Sequence, residues 1–200
     1  MEPDALIDDF VRKINRSPRR RIREEDVPQR LREGGAEFGL YYDWTIQSFD
    51  PINWIEPLET RLPARLPPSY RSLVTRYIFP AFEVPPLVLL ANTGQTLYHE
   101  MSMEMAHDKA LSDVLLKSGF AQFARLSSGD SDPVCFDFRQ RSAEGECPIV
   151  RISHSLLLCI AQAQIVEEIA LSFHEFVNRF LKEDPTERPP QAHSTGKTPQ

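Results

Sequence analysis

Residues 133–153 read PVCFDFRQRSAEGECPIVRIS, and the fold turns on how this stretch is taken. Val134, Phe136 and Phe138 alternate with Cys135, Asp137 and Arg139, the period of two that sets apolar side chains on one face of a strand. The following RSAEGE is polar and holds Gly145, a turn composition. PIVRIS then supplies the returning strand, and the three parts make an antiparallel hairpin. Upstream, FAQFARL at 120–126 is a further strand, so the hairpin grows into a meander.

Between these strands, SSGDSDPVCFD (127–137) crowds Asp130, Asp132, Asp137 and Cys135 together, with His154 following. Hard cations want several carboxylate oxygens, which makes this run resemble part of a calcium loop. An EF-hand, however, needs D-x-[DN]-x-[DN]-G, a twelfth-position Glu and helices on both sides. Here Pro133 stands at a ligand position and strands flank the run. Turn chemistry explains the same residues: Asp side chains accept from backbone N–H groups, and Pro133 opens a strand where its missing donor does no harm. Cys135 and His154 form a nucleophile and base only if folding brings them within hydrogen-bond reach.

Other motifs fail on spacing. His99-Glu100 and His107 lie too far apart for the zinc pair that sits four apart on one helix face. Gly196-Lys197-Thr198 copies the end of a phosphate loop, but Gln191 occupies the first glycine's place. No cofactor and no metal is expected, and the enzymatic alternative is a metal-dependent hydrolase using Asp130, Asp132, Asp137 and His154.

Helices are expected on either side of the meander. Leu6, Phe10 and Ile14 fall four apart in 4–16, one stripe of a helix that Ser17-Pro18 ends. The mixed-charge run from Arg19 to Gly39 is expected to be an irregular connector with at most a short helix. Trp44, Phe49, Trp54 and Ile55 then cover one edge of the core. A helix begins near Pro68, with Tyr70, Leu73, Val74 and Tyr77 inward. PLVLLAN is a buried strand stopped by Asn92-Thr93-Gly94, and 108–119 is a helix with Leu111, Val114 and Leu115 inward and Gly119 as its cap. QIVEEIALSFHEFVNRFLKE (164–183) puts Ile165, Ile169, Phe173, Phe176, Val177 and Phe180 on the stripe of one closing helix. Residues 183–200 have almost no apolar side chains and are expected to be disordered. Helices, a strand meander and a closing helix define an α+β fold with an antiparallel sheet.

The composition narrows the function. A chain of 200 residues with 41% hydrophobic side chains can bury one sizeable core. A net charge of −6 argues against a general nucleic-acid binder. The basic cluster from Arg12 to Arg23 is offset by Glu24, Glu25 and Asp26, and its reading is a solvated connector. The start, MEPDALIDDFVRK, lacks the apolar region of a signal peptide. No apolar run approaches the roughly 20 residues of a membrane helix. Three cysteines without C-x-x-C pairing fit reduced thiols, and a cytoplasmic location is expected.

The order of the pieces resembles the SUKH superfamily, the Smi/Knr-type domain of bacterial immunity proteins and cell-wall regulators. The resemblance runs from about Trp44 to Leu181: Trp54 and Ile55 ahead of LPPSYRSLV, then LANTG, the SGF-x-x-FAR strand, SGDSDPVCFDFR, PIVRISH and SFHEFVNRFL. This chain carries YIFPAFEVPP where such domains have a glycine-rich turn. The resemblance implies a SUKH-like domain over 44–182, preceded at 1–43 by a helix and charged connector. It also implies a non-enzymatic protein-binding role, such as an immunity protein that occludes a cognate toxin, or a cell-wall type adaptor. Candidate contacts for a protein partner are Asp130, Asp132 and Asp137 at the strand turn, with Trp44 and Trp54 as aromatic anchors.

Overall fold

The computed structural model describes residues 2–16, 21–23, 31–37, 41–48, 55–93, 100–108 and 110–183. Helix α1 spans Pro3–Arg16, and strands β1 (Arg21–Arg23), β2 (Arg32–Glu37) and β3 (Tyr41–Trp44) form a three-stranded antiparallel sheet in the order β1-β3-β2. Strand β4 (Gln47–Ser48) pairs with β5 (Tyr77–Ile78), with α2 (Ile55–Glu59) and α3 (Pro68–Arg76) between them in sequence. Next come β6 (Phe82–Val84), β7 (Leu87–Leu89) and α4 (Glu100–Ser102), which runs into a π-helical turn at Met103–His107. The chain continues with α5 (Ser112–Lys117), β8 (Phe120–Leu126), β9 (Pro133–Asp137), β10 (Ile149–Ile152), α6 (His154–Ile160), β11 (Ile165–Ala170) and α7 (Phe173–Lys182).

Strands β6 to β11 form one six-stranded sheet in sequence order, every neighbour antiparallel. The α+β class and the meander are therefore as the sequence reads. Cys135 of β9 faces Val150 of β10, which places the 133–153 hairpin well inside the sheet.

The alternation in β9 separates two cores rather than core from water. Ala121, Phe123, Val134, Phe136 and Ile149 join α1, α3 and α7 in the main core through Phe10, Tyr70 and Phe173. There Phe123 and Phe136 stack with centroids 4.0 Å apart, and Tyr70 meets both rings at 5.2 and 5.0 Å. On the other face, Phe120, Cys135, Val150 and Ile152 are covered by Leu115 of α5 and Leu157 of α6. All five residues of β9 are buried, Asp137 included.

The structure differs from the sequence reading in three places. The stretch 164–183 is not one helix: Ile165–Ala170 is edge strand β11, and the helix starts only at Phe173. Ser172 caps it, its hydroxyl accepting from the Glu175 amide at 2.9 Å. Helix α6 has no counterpart in the sequence reading: His154, just past the returning strand, opens it behind the cap residue Ser153. The connector from Arg19 to Gly39 holds two strands, β1 and β2, because pairing of both with β3 overrides its weak local preference. Helix α1 packs into the main core, where Leu6, Ile7 and Phe10 are wholly buried. The expected tail lies outside the described residues, apart from Glu183.

The first and last helices are clasped. Phe10 meets Phe180 edge-on at 5.5 Å. Lys13 Nζ donates to the carbonyls of Phe180, Leu181 and Glu183 at 2.7, 3.2 and 2.7 Å. These are carbonyls at the end of α7, where a cation suits both the unpaired acceptors and the helix dipole.

Candidate functional site

The 127–132 loop leaves β8 and enters β9 through Gly129, whose φ is +80°. Asp132 accepts the His154 backbone N–H at 2.8 Å, so its carboxylate supplies an acceptor and a negative charge to the first turn of α6. Arg151 Nη1 lies 3.5 Å from Asp130 and 3.7 Å from Asp132, and its Nε lies 3.4 Å from Glu167. Asp130 has a side chain 46% exposed and is reachable, whereas Asp132 is 17% exposed and spent on the helix. The loop Asp residues thus serve the turn and the helix it feeds.

Asp137 is held elsewhere, on the buried side of β9, by Arg139 and by the Gln140 side-chain amide at 3.2 Å. The expected constellation of Asp130, Asp132, Asp137 and His154 does not gather at one point, and no three metal-ligating side chains converge among the described residues. Two expected partner contacts are corrected by burial. Asp137 is fully enclosed, and Trp44 is 2% exposed against Phe82, ring centroids 5.6 Å apart. Trp54 lies outside the described residues. Cys135 is no nucleophile: burial, then the charge of Asp137, push its thiol well above its ordinary range, and the nucleophilic thiolate is suppressed.

Two surface features were missed by sequence reasoning. One is a groove of about 440 Å³ beside the loop, whose lining includes Glu104, Leu111, Gln122, Arg125, Asp130 and His154. Arg125 bonds Glu104 at 2.7 Å and lies 3.2 Å from Glu100. Gln122, from the middle of β8, is only 4% exposed, and its Oε1 accepts no hydrogen bond among the described residues. Its signal in the sequence is a lone amide inside the otherwise apolar FAQF.

The second feature is apolar. Of the five exposed large hydrophobic side chains among the described residues, four are Leu158, Ile160, Val166 and Leu171, on α6, β11 and the turn into α7. Exposed Glu167 and Glu168 interrupt them along β11. Register shifts interrupt the β10–β11 ladder on either side of the Val150–Arg151 pairs. Such bulges blunt an edge against indiscriminate strand addition, leaving side chains as the recognition element.

No protein-family model matches this chain, and no curated protein matches it. No helix among the described residues is long and apolar enough to cross a membrane.

Proposed function

We propose that the chain is a non-enzymatic, cytoplasmic protein-binding domain, with the α6–β11 face as its docking surface and occlusion of a toxin as its mechanism. The carrying observation is that four of the five exposed large hydrophobic side chains among the described residues, Leu158, Ile160, Val166 and Leu171, fall in the single segment 158–171, which carries the end of α6 and the edge strand β11. Scattered exposed apolar residues are ordinary, but four within one short segment, interleaved with charge, have the composition of an interface. Glu167 and Glu168, with a net charge of −6, select a partner that is basic around an apolar centre. A second copy of this chain fits poorly, since twofold packing through β11 would oppose carboxylate to carboxylate. The SUKH resemblance supports the same class, and a basic toxin domain such as a nuclease has the required charge. The hydrolase alternative loses support because Asp132 and Asp137 are committed to α6 and to Arg139. Three free cysteines accord with a reducing compartment.

The neighbouring genes test the reading: one of them is expected to encode a toxic domain, and co-expression with that domain is the assay. Rescue of growth by the wild type, lost in Leu158→Asp/Val166→Asp, is the expected result. Both variants rescuing equally, or neither forming a complex with that domain in vitro, would refute it.

A further inference from the structure

We infer that the groove beside the 127–132 loop receives the guanidinium of an arginine side chain from the protein partner, with Gln122 as its acceptor. The inference rests on the protein-binding reading above and names one contact of it, separate from the apolar face. Three observations converge. Gln122 lines the groove, is 4% exposed, and has a buried carboxamide oxygen with no donor among the described residues. A buried acceptor left open is satisfied by a ligand that brings N–H groups.

Charge sets the sign of that ligand. Glu100, Glu104, Asp130 and Asp132 stand in or immediately behind the groove wall, against the guanidiniums of Arg125 and Arg151. Carboxylates outnumber guanidiniums by two, so an anion is repelled and a cation drawn in. Arg125 already shares Glu104, while Asp130 keeps its long 3.5 Å contact and remains open to a stronger partner.

Shape selects among cations. Leu111, Leu126 and Pro133 give the groove apolar walls for an aliphatic stem. A guanidinium is flat, weakly hydrated and carries five donors in a fixed fork, so one group serves an amide oxygen and a carboxylate together. A lysine ammonium is compact and strongly hydrated, and gives up more on entering such a site.

The probe is N-acetyl-L-arginine methylamide, titrated into the isotope-labelled full chain and followed by NMR. The matching citrulline derivative is its uncharged isostere, and the lysine derivative its cationic control. Saturable shifts are expected at the Gln122 side-chain amide and at backbone amides 129–132. Citrulline should bind about tenfold more weakly or worse, the loss of one charge-assisted contact. Gln122→Leu and Asp130→Asn should each weaken arginine binding; Asp130, being exposed, can be changed without unfolding the chain. Equal binding of citrulline, shifts confined to α6 and β11, no shift at all, or unaltered binding in both variants would overturn the inference. The probe needs no partner protein, so failure here leaves the apolar docking face to its own test, and failure there leaves this titration standing.

Discussion

Asp137 and Arg139 are closed on each other by two parallel bonds, Nε to Oδ1 and Nη2 to Oδ2, each 2.8 Å. The partners are unequal: the carboxylate is wholly buried, while the guanidinium is half exposed and lies over the Phe120 ring at 4.3 Å. Removing the wrong half therefore strands a charge in the interior. Arg139→Met should cost about 3 kcal/mol in denaturant melts. Asp137→Asn should cost about 1 kcal/mol, because the released cation can hydrate. Equal losses would contradict this account.

The same pair sets an acid dependence. Burial alone would raise the Asp137 carboxyl, but Arg139's bonds and charge, with the Gln140 amide, outweigh it and hold the group below its ordinary 3.8. The unfolded chain is then protonated first as pH falls, so this increment is present above about pH 4 and drains away below it. In Arg139→Met burial remains without its main opponent, and the carboxyl moves upward. The stability gap between wild type and variant should narrow on acidification from about pH 5 to pH 3, and a constant gap would count against the argument.

Gly119 protects the pair from behind. It has φ +85°, and a Cβ there would lie 2.6 Å from Arg139 Cγ. Gly119→Ala should cost about 2 kcal/mol, from left-handed backbone strain and displacement of Arg139. In an Arg139→Ala background, which removes Cγ, the cost should shrink, and a double-mutant cycle reads the coupling.

Ser172→Ala removes the cap of α7 and should lower stability by about 1 kcal/mol, with Ser172→Asp nearly neutral. Thermal melts of the two variants decide it.

Thiol reactivity offers a direct check on burial. Cys135 and Cys147 are buried and Cys159 is exposed. Burial, the largest influence, pushes the Cys147 thiol up to about 11. A disulfide reagent should modify one thiol per native chain and three after denaturation.

Strand β9 was legible because its alternation is clean, its neighbours β8 and β10 because turn compositions bound them, and the start of α3 because of Pro68. What stayed hidden was whatever neighbours decide. Ile165, Ile169 and Phe173 are four apart and satisfy a helical stripe, yet tertiary pairing makes the first two part of a strand. The β-branched Ile165-Val166 and the Ser172-x-x-Glu175 box carried the boundary in plain view. Asn92 looked like a turn residue and is instead fully buried, donating to the Val74 and Tyr77 carbonyls at 2.8 Å. Asp137 looked available because alternation cannot tell a covered second face from an open one. The groove escaped for the same reason: Gln122, Arg125 and Glu104 come together only in the folded chain.

The clasp between Lys13 and the end of α7 joins residues 167 to 170 positions apart. A chain made from its N-terminus can set Phe10 against Phe82 early, but leaves the side of α1 that meets Phe173 and Phe180 without cover until α7 has left the ribosome. Closure then carries the entropy of a very long loop, which slows folding more than it weakens the finished fold. The main core is consequently an event of late synthesis, and a polypeptide stalled before Phe173 would present its first helix to chaperones rather than to its own last one.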